Sequence, residues 1–245
     1  MCKKQVAHNW ARRISDEVTY HPKSVFLTLT YKSDTDKQYS LSVRDLQLFI
    51  KRMRKKYKFL YFACGEYGGL KNRPHYHLII LGLSLSDLDA QRRYSHLTSK
   101  VLEEKWPYGF HELGTVTQDS IHYVSGYILK SQWGRKAEEA YDKQGLTRPF
   151  INCSRGIGLK FMHDNIDMLS QKKSIPRYYI KKAEEININL AKSSLLKEAK
   201  EISEVMKKNK VDILTAKRAL LIKRLRSEQL EIAKENLLGK RHENF

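Results

Sequence analysis

The spacing of apolar residues along the chain switches between a period of two and a period near four, and each switch marks an element. Residues 25–31 (VFLTLTY) are rich in β-branched and aromatic side chains and predict a strand, apolar on both faces with threonines interleaved. Ser42 then opens a helix, with Asp45 three residues on in capping-box position. Leu46, Phe49, Ile50, Met53 and Tyr57 recur at helical spacing, while the other face carries Arg44, Lys51, Arg52, Arg54, Lys55 and Lys56. Residues 59–82 (FLYFACGEYGGLKNRPHYHLIILG) are two apolar runs around a polar, Gly-rich turn, which predicts a hairpin of strands 59–66 and 74–82. Beyond its histidines the second strand is apolar on both faces, the pattern of a central strand.

Residues 86–106 turn helical again, with Leu97, Val101 and Leu102 inward, and 110–116 predict a further strand. Thr117 or Asp119 caps a helix over 120–133, with Ile121, Val124 and Ile128 as its anchor to the sheet. Residues 134–160 read as loop, 161–169 as a short helix, and 176–180 (PRYYI) as a last strand or an extended connector. From 181 to 238 there is no proline, which predicts a long helix or a helical pair broken near Asn209, with Gly239 as its stop. Strands and helices in this order predict an α+β domain with an antiparallel sheet.

Charge narrows the partner. The 245 residues hold 46 Lys plus Arg against 27 Asp plus Glu, a formal charge of +19. That balance points to a polyanion, nucleic acid before an anionic membrane. No apolar run is long enough to span a bilayer, and the first residues lack a signal core, so no membrane role and no export are expected. Three cysteines, Cys2, Cys64 and Cys153, form no CxxC pair. The simplest reading is a reduced cytosolic protein without structural zinc.

Candidate chemistry sits in two places. In a strand, residues two apart share a face, so His75 and His77 project side by side, and the hairpin returns Glu66 beside them. Two imidazoles and a carboxylate are a donor set for a divalent ion. In the helix SIHYVSGYILK, Tyr123, Tyr127 and Lys130 fall at i, i+4 and i+7, on one helical face predicted to point away from the core. A tyrosine can act as a nucleophile on phosphate when a metal and a lysine offset the developing charge. Each part also has a plain structural reading: strand histidines, a solvated Glu66, packing tyrosines, and a Lys130 favoured by the helix dipole.

Taken together, FLTLTY, PHYHLII and YVSGYILK resemble the three motifs of the HUH endonucleases, which initiate rolling-circle replication. With GEYG, RPHYH and SRGIG added, the chain looks more closely like the replication initiators of small single-stranded DNA phages of the microvirus group, the gokushoviruses in particular. The resemblance covers residues 25–180 and implies an HUH fold: a central antiparallel, about five-stranded, RRM/ferredoxin-like sheet flanked by helices. Residues 1–24 are then a basic N-terminal segment, 25–180 the nuclease domain, and 181–245 a C-terminal helical extension.

The resemblance implies Mg²⁺ or Mn²⁺ on His75, His77 and Glu66. It implies attack on a single-stranded origin by Tyr123 or Tyr127, with Lys130 at the phosphate. The product is a 5′-phosphotyrosine and a free 3′-hydroxyl, later rejoined without ATP. The cytoplasm of an infected bacterial host is the expected setting, with host helicase and polymerase as further partners and oligomerisation through the C-terminal helices. Expected DNA contacts are Lys71, Asn72 and Arg73 in the hairpin turn. The basic loop carrying Arg155, Gly156, Gly158 and Lys160 adds others, its backbone close to phosphate. Two further readings stay open: an HUH single-strand transposase or relaxase, and a non-catalytic RRM-like nucleic-acid-binding protein.

Overall fold

The structure, a computed structural model, describes residues 3–33, 39–68, 72–130, 134–172, 174–186, 188, 190–210 and 212–223. The chain divides into two compact units, 1–164 and 165–245. The first unit thus begins with the N-terminal segment and closes before the expected boundary at 180.

In the first unit, helix α1 (Lys3–Val18) leads into β1 (Ser24–Tyr31), α2 (Val43–Arg54), the hairpin β2 (Leu60–Tyr67) and β3 (Pro74–Leu81), and then the short strands β4 (Gln91–Arg93) and β5 (His96–Thr98). Helix α3 (Lys100–Lys105), β6 (Gly109–Thr115), α4 (Gln118–Lys130), α5 (Arg135–Ala140), β7 (Phe150–Cys153) and α6 (Leu159–Asp164) complete it. The sheet order is β4-β5-β6-β1-β3-β2-β7, with every pairing antiparallel. Its inner part, β6-β1-β3-β2, is the split βαβ arrangement of ferredoxin-like sheets.

Seven strands stand where about five were expected, and the difference has local causes. The polar stretch 91–98, read as helical, folds instead as a two-residue-loop hairpin that joins β6 through Leu97 opposite Leu113. The FINC segment, read as loop, becomes β7 because Phe62–Gly65 of β2 offer it a free edge.

Two layers of helix cover the sheet. On one face, Leu46, Phe49, Ile50 and Met53 of α2 meet Leu27, Leu29, Tyr76, Leu78 and Ile80, all nearly inaccessible. Each such side chain contributes about 1.5–3 kcal/mol of burial. Ser42 caps α2 by accepting from the Asp45 amide at 3.1 Å, as the capping box predicts. The Tyr31 hydroxyl donates to Asp45 at 2.9 Å, so Tyr76 is the donor in the 2.7 Å bond between the two phenols. The basic face of α2 is partly engaged: Arg52 donates to the Lys105 carbonyl and Arg54 lies over Tyr61.

On the other face, Ala11 and Ile14 of α1 and Ile121, Val124 and Tyr127 of α4 pack with Phe62, Cys64, Ile79 and Leu81. The N-terminal segment is therefore a helix built into the core.

The second unit holds α7 (Ile166–Ser170), α8 (Arg177–Glu184) and α9 (Leu190–Asn209). The helix expected over 161–169 is thus interrupted at Asn165, and PRYYI opens helix α8 rather than a strand, its Pro176 serving as N-cap. The long helix breaks at Lys210, which has φ 51°, close to the predicted break at Asn209. Residues 213–223 are helical again, and Gly239 lies outside the described residues.

Gly109 lies so close to β1 that a Cβ there would overlap the Thr30 carbonyl oxygen, whereas a Cβ on Gly126 in α4 meets nothing within 4 Å. Gly109→Ala should lower the melting temperature by at least ~5 °C, on a scale of about 2–4 °C per kcal/mol. Gly126→Ala should raise it, since glycine costs a helix about 1 kcal/mol. Calorimetry of the two variants checks the pair, and a G109A protein that melts with the wild type contradicts the close β1–β6 approach.

Candidate functional site

The strand register sets the site. Across the sheet, Cys64, His77, Thr28 and Glu112 form one row on the face toward α1 and α4, and Glu66, His75, Thr30 and Phe110 form the next. His75 and His77 share a face because they are two apart, and Glu66 lies directly opposite His75 because the hairpin closes between them. Glu66 Oε1 is 3.4 Å from His77 Nε2, and both side chains are largely shielded from solvent.

Hydrogen bonds from behind orient the two imidazoles. His75 Nδ1 lies 2.6 Å from the Arg73 carbonyl, which can only accept, so in the neutral ring Nδ1 carries the proton and Nε2 keeps its lone pair. Burial pushes the His75 pKa below its ordinary value, with the His77 ring a lesser cause in the same direction and the Arg73 carbonyl opposing. His77 Nδ1 is 3.1 Å from the Thr28 hydroxyl. A partner on Nδ1 leaves Nε2 to face Glu66, the arrangement that commonly supports a metal-binding histidine.

The donor chemistry therefore suits a divalent cation. Among the described residues, however, no three His, Cys, Asp or Glu side chains converge closely enough to hold one as they stand. The His75 and His77 rings lie parallel with centroids 6.2 Å apart.

The tyrosine helix closes over this site. The Tyr127 ring stacks on His77 at 4.9 Å with 1° between planes, and Tyr123 meets the same imidazole edge-on at 5.3 Å. The two phenol rings are 4.8 Å apart. Both tyrosines thus face the sheet, which corrects the expectation that they point away from the core. At 100° per residue, Tyr127 lies only 60° around the helix from Val124, so anchoring Val124 on the sheet carries Tyr127 with it.

Tyr127 is 5% exposed and Tyr123 49%. Burial raises both phenol pKa values, and the charge on Glu66 adds to each. The bond between the hydroxyls raises Tyr127 and lowers Tyr123, so Tyr127 is its donor.

The remaining predicted residues separate. Lys71 lies outside the described residues, as do the side chains of Lys130 and Ile128. Asn72, at φ 47°, serves the turn, its amide donating to Gly68. Arg73 donates to the Tyr31 carbonyl at 2.7 Å. In the SRGIG loop Arg155 is exposed, and Gly156 and Gly158 have φ of 82° and 80°. The expectation that this loop offers its backbone to phosphate meets a competitor: the Gly158 amide donates to Glu17 of α1 at 2.5 Å. Arg13 of α1 holds the Ile157 carbonyl with two bonds, and Lys160 pairs with Asp164 at 2.7 Å.

Four contributors went unread in the sequence. Thr28 braces His77, Phe26 stacks near it at 5.9 Å, and buried Cys64 is its direct register partner on β2. The alternation of FLTLT already placed Phe26 and Thr28 on one face. Gly68 is the fourth, because a Cβ there would meet His75 Cε1 at 3.0 Å.

Residues 24–132 match the model of a family of phage replication proteins, the Replication-associated protein ORF2 family. The chain is similar to the Replication-associated protein ORF2 of Spiroplasma virus 4, 32% identical over 191 residues, which is 71% of this chain and 58% of that protein. It is 29% identical over 206 residues to the Replication-associated protein VP4 of Bdellovibrio phage phiMH2K, covering 73% of this chain and 63% of the relative. To the Replication-associated protein ORF4 of Chlamydia phage 1 it is 25% identical over 203 residues, 73% and 50% of the two chains. The chain thus spans between 50% and 63% of the length of these relatives. The resemblance to microvirus replication proteins read from the motifs is borne out. No solved structure matches the chain significantly, and none of the described helices is long and apolar enough to cross a membrane.

Burial also lowers the pKa of His111, whose Nε2 accepts the Ser99 amide at 2.9 Å and which must stay neutral to do so. Unfolded imidazoles take up protons near pH 6.5, while His75 and His111 in the fold do so only at lower pH. In that window the unfolded chain binds more protons, so stability falls as pH drops below about 6.5. Thermal melts between pH 7.5 and 5 should show a falling midpoint, with a shallower fall in His75→Gln. A midpoint flat with pH contradicts the buried neutral state.

Proposed function

We propose that the chain is a replication initiator that cuts and rejoins single-stranded DNA at an origin, with Tyr123 and Tyr127 as its nucleophiles. The observation that carries this reading is the packing of both phenol rings on the His77 imidazole, on the sheet face that also holds His75 and Glu66. The domain match over residues 24–132, which contains all five residues, supports a replication role. The split βαβ sheet with its histidines on an inner strand is the arrangement expected of an HUH endonuclease.

In the proposed reaction the Tyr123 oxygen attacks the scissile phosphorus and gives up its proton as it does so, because burial keeps the phenol un-ionised at neutral pH. The bond from phosphorus to the 3′ oxygen breaks, and that oxygen leaves as a hydroxyl after taking up a proton. The 5′ phosphate remains esterified to tyrosine. Attack by a 3′-hydroxyl reverses the exchange and releases the tyrosine, so no nucleotide cofactor is consumed. The free 3′-hydroxyl is the primer a host polymerase extends.

Tyr123 acts first because it is the exposed phenol, and Tyr127, buried behind it, serves the second cleavage. The hydroxyl of Tyr127 donates to Tyr123 and stabilises negative charge on the attacking oxygen. His75 and His77 through Nε2, with Glu66, would hold Mg²⁺ or Mn²⁺, which would supply positive charge to polarise the phosphate. Lys130, at the end of α4, would add a second cation. The RRM-like reading needs an open sheet face, and here helices pack on both faces.

A 5′-labelled or internally labelled single-stranded origin oligonucleotide incubated with protein and Mn²⁺ should yield a covalent protein–DNA adduct. Tyr123→Phe should slow adduct formation at least ~100-fold, in the range for loss of a nucleophile or general acid–base group. The Tyr123→Phe/Tyr127→Phe double variant should form none. An adduct that survives in the double variant sinks the mechanism. Thr28→Val removes the brace on His77 and should weaken Mn²⁺ binding about 10–100-fold, read by titration without DNA. Unchanged affinity would mean that Thr28 has no part in the site.

A further inference from the structure

The β4–β5 hairpin was not anticipated from the sequence, and it forms one wall of a groove beside the site. A cleft of about 380 Å³ runs between it and the exposed ends of β1 and β6, lined among others by Thr28, Thr30, Tyr94, His96 and Phe110. That volume is within the range of small-molecule sites, about 300–1,000 Å³. Thr28 and Thr30 belong to the face that carries the histidines, and Thr28 is the residue bonded to His77. The groove therefore opens directly onto the tyrosine–histidine site.

Two aromatic rings stand in it with little cover. Phe110 is 60% exposed on the floor, opposite Thr30, and Tyr94 is 88% exposed at the hairpin tip. Tyr94 has φ 55° in a two-residue loop, since Arg93 pairs directly with His96. Such positions favour Asn or Gly, and a bulky aromatic there carries a conformational cost with no packing in return. Arg92, Arg93 and His96 flank the ring, all exposed. The floor is different: Glu112 and Glu103 line it, and a carboxylate floor repels phosphate. A nucleic-acid strand fits this charge pattern only with its bases turned inward and its phosphates outward, toward the arginines.

We propose that this groove binds the unpaired bases of a single DNA strand, stacked on Phe110 and Tyr94, and so leads the strand to Tyr123. The proposal rests on the nuclease reading of the adjoining site for its choice of DNA. Paired bases cannot enter, so the groove selects single-stranded over duplex DNA. Each aromatic supplies a platform of the kind that sequence-tolerant single-strand binding proteins use.

The test is fluorescence anisotropy of the full chain with a labelled 20-nucleotide single strand in EDTA, where no cleavage occurs. Tyr94→Ala and Phe110→Ala should each weaken binding at least five-fold, Tyr94→Phe should bind as the wild type does, and duplex affinity should be unchanged in all. Tyr94 is at a hairpin tip in solvent, so its variant keeps the fold, and matching melting curves check this. Single-strand affinities equal to the wild type in both alanine variants overturn the groove, as does an equal loss for duplex. The same proteins with Mn²⁺ separate the two readings. Variants that lose affinity while the wild type forms no adduct leave the groove standing and the nuclease reading refuted. Variants that bind normally while the wild type forms the adduct refute the groove alone.

Discussion

The alternation of β3 constrains everything else in the first unit. His75 and His77 point to one side of the sheet and Tyr76, between them, points to the other, where it is fully buried. Tyr76 takes the Ser42 amide at 2.7 Å and bonds Tyr31, which holds Asp45, so one residue pins the start of α2 to the sheet. Burial, the largest cause, pushes the Tyr76 phenol up to about 12, and it remains a donor at any working pH. A one-residue slip of β3 would exchange the faces, putting imidazoles in the apolar layer and a phenol among the site residues. The rigidity of the histidine pair thus comes from the side of the sheet that does no chemistry.

The opposite face solves a different problem, which is to keep polar side chains in a mostly dry layer without leaving them unsatisfied. His77 has Thr28 on one nitrogen and Glu66 on the other, and Tyr127 covers its ring. Among the described residues no buried side-chain nitrogen or oxygen lacks a partner. Shielding from water strengthens every charge interaction in such a site, and it also raises the phenol pKa values that nucleophilic attack must work against. Tyr123, half exposed at the edge of this layer, is the compromise between access and shielding.

The parts of this arrangement that follow local rules were legible in the sequence. The strands at 25–31, 59–66 and 74–82, the capping box at Ser42 and the face shared by His75 and His77 depend on periodicity and short-range bonds. Thr117 likewise caps α4, accepting the Ser120 amide at 3.1 Å. What was not legible depends on tertiary partners. The apolar positions of α1, such as Ala11 and Ile14, are few among charged neighbours, so its packing on the sheet could not be read from pattern alone. β7 exists because β2 presents an edge, and PRYYI becomes helical although its tyrosines favour strands. The direction of the tyrosines was missed because their spacing was read without asking which face the histidines occupy.

The glycine-bearing motifs show how chemistry and architecture share residues. In GEYG, Gly65 leaves room for the Phe150 ring, whose nearest carbon would lie 3.0 Å from a Cβ, and Gly68 leaves the same room for His75. In SRGIG, the left-handed Gly158 lets its amide reach Glu17, and Arg13 grips the neighbouring carbonyl. Both of those partners come from α1, and both are buried. A buried carboxylate and a buried guanidinium are costly unless paired, so the loop and the helix each make the other tolerable. Helix α1 also covers Phe62 and Ile79, the apolar neighbours of the histidine rows. Removing it would expose that layer to water and release the loop as well. The N-terminal residues therefore belong to the fold that carries the site, and any activity of the histidines and tyrosines depends on them.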